Sequence, residues 1–208
     1  MTETKELEIP KELTPIQSKW QEAQYLAQSS LLPKHFAGQP ANVLIALEYA
    51  RQLSSETRNL SPISVMQNLY VVHGNCGLSS KFMIALANSS GKLDHQIRYR
   101  KTKNEAGKVI AIEAYSSIDG EEISYTVDMD MARSEGWDKN PKYKSMPELM
   151  LSYRAASFLI RIYIPEVVMG LQTDDDVRDM EPIKVVETNN DLLPASSELV
   201  DLDDEDLV

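Results

Sequence analysis

Apolar residues recur at helical spacing through the first half of the chain. Ile16, Trp20, Ala23 and Ala27 fall near one face of a stretch opened by Thr14-Pro15. A threonine there can cap free N–H groups and proline suits the first helical position. The pattern predicts a helix running to about Gln28. Leu31-Leu32-Pro33 and Gly38-Gln39-Pro40 interrupt it, and Ala41 to Leu53 resumes the spacing with Val43, Leu44, Leu47, Ala50 and Leu53. Ser61-Pro62 repeats the cap-plus-proline signal for a short helix ending near Asn68. Leu69-Tyr70-Val71-Val72 reads as a strand with His73-Gly74-Asn75 as its turn. Ser79-Ser80 can cap a further helix through Phe82, Met83, Ile84 and Leu86, closed by Gly91.

From Leu93 to Val127 the period changes to two. Asn104-Glu105-Ala106-Gly107 and Asp119-Gly120 are turn signals that divide this stretch into about three antiparallel strands. Asp128 to Glu135 predicts a short helix with Gly136 beyond its end. Pro147 to Tyr163 is the longest amphipathic segment, with Leu149, Leu159, Ile160 and Tyr163 available to a core and Pro165 beyond its end. Helices around a hairpin-rich middle give the α+β class, an antiparallel sheet flanked by helices. From about Glu181 the pattern fails: Asn189-Asn190, Pro194, Ser196-Ser197 and Asp203-Asp204-Glu205-Asp206 lack the apolar surface that offsets ordering entropy. The expected organisation is a flexible N-terminus over 1–13, one α+β domain over 14–180, and a disordered acidic C-terminal tail over 181–208.

Composition fits that division. The chain has 208 residues, 42% apolar and 25% charged, which excludes collagen, coiled-coil rods and whole-chain disorder. Its single cysteine, Cys76, rules out an intramolecular disulfide framework and a multi-cysteine zinc site. No apolar run approaches the roughly eighteen residues of a membrane span, and Met1–Pro10 is charged rather than signal-like, so a soluble intracellular protein with no membrane partner is expected. The net charge of −11 is unevenly placed. After Thr173 there are thirteen acids against two bases, Arg178 and Lys184, whereas nineteen acids and nineteen bases cancel before it. The acidic balance therefore does not exclude nucleic acid; the placement of the body's cations decides.

Those cations are clustered. Arg98-Tyr99-Arg100-Lys101-Thr102-Lys103 occupies the first long strand, with Lys108 across the turn. Alternation sends Arg98 and Arg100 to one face and Tyr99, Lys101 and Lys103 to the other. A ribbon so charged suits phosphate, or is an edge protected against aggregation. Lys139, Lys142 and Lys144 form a second group interleaved with Trp137 and Tyr143. Cations that track phosphates beside rings that stack on bases suit a single strand; alternatively the two rings close the core. Arg154 and Arg161 stand two helical turns apart with Ser157 between them, and can meet successive phosphates or pair with acids. Asp128-Met129-Asp130 resembles a metal-binding carboxylate pair, yet Asp128 fits a helix N-cap and Asp130 a first turn. His73 and Cys76 have a ligand-like spacing that His35 and His95 do not complete. No Walker sequence and no glycine-rich dinucleotide loop occurs.

The order of segments carries a resemblance. The run from Leu60 through Ser61-Pro62-Ile63-Ser64-Val65-Met66-Gln67-Asn68 to Leu69-Tyr70-Val71-Val72-His73-Gly74, followed by the helix resembling Ser80 to Ala87, is similar to the RecT-like phage single-strand annealing proteins. A second block resembles them too: Val127 to Gly136, Trp137, Pro147, Met150, Tyr153-Arg154-Ala155, Arg161, Pro165-Glu166-Val167-Val168 and Gly170-Leu171, with an Asp174-Asp175-Asp176 turn in place of an acidic Glu-Glu step. The similarity spans roughly Leu31 to Asp179; the polar Gln52-to-Asn59 connection departs from it, as do His73 and Cys76. The resemblance implies binding of single-stranded DNA and annealing of a complementary strand without ATP, cofactor or chemical step. It implies a ring or helical filament, an annealed duplex intermediate, a phage exonuclease or host single-strand-binding protein as partners, and the cytoplasm of a bacterial host cell. On this reading the DNA contacts are Lys81, Arg98, Tyr99, Arg100, Lys101, Lys103, Lys108, Trp137, Lys139, Lys142, Tyr143, Lys144, Arg154 and Arg161. Two rivals stand beside it: a phage interaction or assembly protein, and a metal-dependent nuclease using Asp128 and Asp130.

Overall fold

Proline at the first helical position opens four helices, where its fixed φ fits and its missing N–H leaves nothing unpaired. They are α1 (Pro15–Ala27), α2 (Pro40–Leu53), α3 (Pro62–Met66) and the long Pro147–Tyr163 helix. Thr14 and Gln17 cap α1 reciprocally, the Thr14 amide donating to Gln17 Oε1 at 2.8 Å. The structure, a computed structural model, describes residues 14–179 apart from 56–57 and 73–74. The flexible N-terminus, the disordered tail and the His73 turn expected above lie outside the described residues.

After α3 the chain forms β1 (Leu69–Val72) and β2 (Asn75–Leu78), an antiparallel pair, then α4 (Ser80–Asn88) capped by the Ser79 hydroxyl. Asn75 was expected in a turn; it begins a strand because β1 offers a pairing edge, although Asn-Cys-Gly-Leu has no alternation to announce one. The period-two stretch becomes β3 (Arg98–Lys103), β4 (Val109–Ile118) and β5 (Glu121–Asp128), a three-stranded antiparallel sheet in the order β3-β4-β5. Asp119 and Gly120 both take positive φ, +51° and +81°, the geometry a two-residue hairpin turn requires. Asp128 accepts the Met131 amide at 2.7 Å and starts α5 (Met129–Ser134). A 3₁₀ turn at Trp137–Lys139, α6 (Lys142–Ser145), α7 (Pro147–Tyr163) and a 3₁₀ turn at Pro165–Val167 follow.

The chain then adds β6 (Gln172–Thr173), parallel to β2, and α8 (Asp174–Asp179). The expected Asp174-Asp175-Asp176 turn is the first turn of this helix. Thr173 and Asp176 cap it reciprocally: the Asp176 amide donates to Thr173 Oγ1 at 3.1 Å and the Thr173 amide to Asp176 Oδ2 at 3.2 Å. Carboxylates also favour the positive end of the helix dipole.

The described residues are thus α+β. α7 lies across one face of β4 and β5, where Ile112, Ala114 and Val127 are fully buried with Leu151, Ala155 and Leu159 of the helix. Each such Leu or Ile contributes about 1.5–3 kcal/mol of burial. The same buried cluster continues through Met83 and Leu86 of α4 and Met66, Leu69 and Leu78 to Ala23 and Ala27 of α1. Two expected core stripes split. In α1 only the alanines are buried, leaving Ile16 and Trp20 exposed; in α7 Leu159 and Ile160 are buried, leaving Leu149 and Tyr163 on the surface. Among the described residues no helix is long and apolar enough to cross a membrane.

Candidate nucleic-acid interface

The basic hairpin is the edge of a covered sheet, rather than a ribbon open on both sides. Tyr99 lies opposite buried Ala114 and packs against the core, with burial pushing its phenol pKa up to about 12. Lys101 continues the Tyr99 face and is ion-paired to Glu148 in the first turn of α7. On the uncovered face Arg100 lies opposite Glu113, over the Tyr115 ring at 3.7 Å. It donates to Glu113 at 3.2 Å and to Glu122 at 3.0 and 2.8 Å. Those two hydrogen-bonded carboxylates, Glu122 foremost, hold the Arg100 pKa above its usual value. Arg98, Lys103 and Lys108 are exposed and have no ion-pair partner among the described residues.

The second group separates into rings and cations. Trp137 and Tyr143 are buried, so neither presents a face to an unpaired base. Trp137 packs against Phe158, which stacks on Tyr125 at 5.0 Å. Lys139, Lys142 and Lys144 remain exposed and without an ion-pair partner among the described residues. The Lys101–Glu148 pair ties the end of β3 to the start of α7, and Lys144 lies four residues ahead of Glu148. Lys81, also exposed and unpaired among the described residues, stands in the first turn of α4, the end of a helix that disfavours a cation.

Arg154 and Arg161 take the acid-paired alternative. The Arg154 side chain is 6% exposed and meets Asp176 at 2.6 Å and Asp179, with Tyr143 Oη 3.3 Å from its Nε. Its guanidinium lies over Trp137 at 4.3 Å. Burial alone would lower its pKa, but Asp176 and the other partners more than offset this and hold it raised. Arg161 pairs with Asp176 at 3.1 Å and lies over Phe158 at 4.8 Å. Sequence spacing found both arginines but not their partners, 22 residues downstream of Arg154 in the case of Asp176.

Sequence reading also missed Arg58. It donates to Leu86 O and Leu53 O, both at 2.6 Å, and so closes the C-terminal ends of α2 and α4 together. Burial lowers its pKa. Asp128 and Asp130 are each engaged: Asp128 caps α5, and Asp130 pairs with Arg133. Cys76 is a half-buried free thiol whose pKa burial pushes up. A concavity of about 560 Å³ lies between α1, α2 and α3, lined by Ile16, Ile45, Leu47 and Leu60 with Lys19 and Arg51 both paired to Glu48. It contains none of the clustered cations. No family model, no curated protein and no solved structure matches the chain.

Proposed function

We propose that this chain binds single-stranded DNA along its exposed cations and anneals complementary strands without a nucleotide, as the RecT-like annealing proteins do. The observation that carries the reading is the set of cations with no carboxylate partner among the described residues: Arg98, Lys103 and Lys108 on the hairpin, and Lys139, Lys142 and Lys144 ahead of α7. An interior-free cation offers its full charge to phosphate, whereas Arg154 and Arg161 would first have to leave Asp176 and Asp179. The interface is therefore narrower than the sequence suggested. It consists of surface lysines and Arg98, with Arg100 and Lys101 in exposed pairs that solvent already weakens. Neutralising phosphates on two strands lowers the repulsion that opposes annealing, and assembly of several protomers would align many nucleotides.

The test is salt-dependent binding of an oligodeoxythymidine and annealing of complementary oligonucleotides without ATP or divalent metal. With four to six phosphate contacts, affinity falls roughly 50- to 300-fold between 50 and 200 mM salt, since each contact contributes about −0.7 to the logarithmic slope. Lys103→Gln with Lys108→Gln, and Lys142→Gln with Lys144→Gln, should each lower that slope by about 1.4 while leaving thermal stability unchanged. Affinity that does not respond to salt, or variants that bind and anneal like the parent, would overturn the reading.

A further inference from the structure

Both arginines of α7 are occupied by carboxylates of α8, and α8 leads straight into the most acidic part of the chain. Asp179, its last residue, holds Arg154. The 29 residues that follow, 180–208, carry nine acids against the single base Lys184. Arg154 Nε also reaches the hydroxyl of Tyr143, and Tyr143 sits between Lys142 and Lys144. Two side chains therefore separate the exit point of the acidic segment from a row of lysines with no ion-pair partner among the described residues. Beside them the buried Ser157 Oγ, in a residue 2% exposed, and Arg161 Nε have no hydrogen-bond partner among the described residues. This side of α7 thus draws carboxylates from the C-terminal arm and has cations left over.

We propose that residues 180–208 continue the contact that α8 begins, folding back so that their carboxylates cover Lys139, Lys142 and Lys144 of the same chain. The reach suffices. The acidic run Asp201–Asp206 begins 22 residues beyond Asp179, and a chain of 22 residues needs no more than flexible-linker dimensions, about 25 Å root-mean-square, to make the contact. A tethered segment at such range has an effective concentration of millimolar order, so weak ionic contacts are populated within one chain before they are between chains. Leu192, Leu193, Leu199, Val200 and Leu202 lie among the acids and offer apolar contact to the lysine stems. The consequence for DNA rests on the function proposed above: the arm and a single strand then compete for the same three lysines, and the arm acts as an internal brake.

Zero-length carbodiimide cross-linking of the full chain at 30 mM salt, read by mass spectrometry, tests the contact without DNA. Acids between Asp191 and Asp206 should join Lys139, Lys142 and Lys144 several-fold more often than Lys81, Lys103 or Lys108. The links should weaken at 0.5 M salt as the charges are screened. In a mixture of ¹⁵N-labelled and unlabelled protein they should fall within one chain. No links, links spread evenly over the exposed lysines, or links only between chains would overturn the proposal. Lys139→Gln, Lys142→Gln and Lys144→Gln together should leave thermal stability unchanged while Lys81, Lys103 and Lys108 do not inherit the links; inheritance at equal frequency means bulk charge and sinks the proposal. For the consequence, neutralising Asp201, Asp203, Asp204, Glu205 and Asp206 to amides in the full chain should tighten oligodeoxythymidine binding at least three-fold at 30 mM salt, and by no more than bulk charge allows in the triple-glutamine background. If no form binds the oligonucleotide, the proposed function fails while the cross-links still decide the docking.

Discussion

Arg100 and Arg154 are built from the same parts and do different work. Each guanidinium meets two carboxylates and lies over an aromatic ring: Arg100 with Glu113, Glu122 and Tyr115, Arg154 with Asp176, Asp179 and Trp137. The difference is water. The Arg100 side chain is 47% exposed on the uncovered face of a sheet edge, whereas that of Arg154 is 6% exposed between α6, α7 and α8. Solvent screens the first cluster and competes for its hydrogen bonds, so the Arg100 pairs hold little energy and open readily to another anion. In the second, Arg154 and Asp176 are desolvated and each depends on the other to remain buried, while Asp179, 41% exposed, closes the cluster on its solvent side. The Arg100 pairs are loose surface contacts, and the α7 arginines are a joint of the fold.

The largest expected effect separates these roles directly. Arg154→Ala takes from Asp179 its ion-pair partner, leaves Asp176 with Arg161 and the Thr173 cap, and removes the cover from Trp137. A loss of about 3–5 kcal/mol is expected from breaking a buried pair of this kind, a fall of roughly 10 °C in the melting midpoint. Arg100→Ala should leave the midpoint nearly unmoved, because its carboxylates simply hydrate. Thermal unfolding of both variants under one buffer condition checks this. Equal shifts would mean that burial does not distinguish the two clusters.

A smaller effect probes the same joint without touching a charge. Gly77 in β2 approaches the start of α8 so closely that a Cβ would lie 3.0 Å from the backbone N and Cα of Asp174 and 3.0 Å from Val177 Cγ2. Backbone cannot yield as a flexible side chain can, so Gly77→Ala must push α8 away from β2. A destabilisation of about 1–3 kcal/mol is expected, the usual cost of overpacking. Faster amide exchange should be confined to α8 and β6. Because Gly77→Ala loosens the carboxylates that Arg154 needs, the double variant should lose less than the two single losses together. Strict additivity would show that α8 is not held by this ion cluster.

Why the two arginines could not be told apart from sequence is a matter of range. Local signals were legible: the Thr14-Pro15 cap, the Asp119-Gly120 turn, the Asp128 cap and the period of Pro147–Tyr163 each act within four or five residues. Alternation correctly divided Arg100 from Tyr99, yet it cannot say which face of a sheet a helix will cover. That depends on α7, more than forty residues away, packing on Ile112 and Val127. The same helix turned Trp137 and Tyr143 from candidate stacking platforms into core. β6 and α8 were missed because two residues and six are too short for periodicity. The Thr173–Asp176 capping pair was the one signal available there, and three successive aspartates obscured it. Arg100's partner Glu113 was within reach of hairpin register, although the shift between Thr102 and Lys103 displaces simple counting by one. Asp176, by contrast, finds Arg154 only through the tertiary fold.

The smallest effect concerns the other face of the same strand. Tyr99 is one residue from Arg100 but packs beneath the sheet, where burial, with Tyr153 nearby, pushes its phenol up to about 12. In the unfolded chain a tyrosine ionises near 10. A raised folded-state pKa contributes stability that is fully present below about pH 10 and is lost as the pH climbs towards 12, because the unfolded state sheds its proton first. Two pH units set a ceiling of about 2.7 kcal/mol, and partial contact with solvent reduces this to about 1–2 kcal/mol. Tyr99→Phe removes this dependence and leaves the ring. Urea unfolding of parent and variant at pH 9, 10 and 11 should show the variant gaining about 1 kcal/mol on the parent over that interval. Lysine deprotonation is common to both and cancels in the difference. Arg100→Ala should retain the parent's slope, since Arg100 belongs to the uncovered face. A difference that stays flat with pH would put Tyr99 in water, return the hairpin to a ribbon open on both sides, and remove the physical ground for treating Arg98 and Arg100 apart from Lys101 and Lys103.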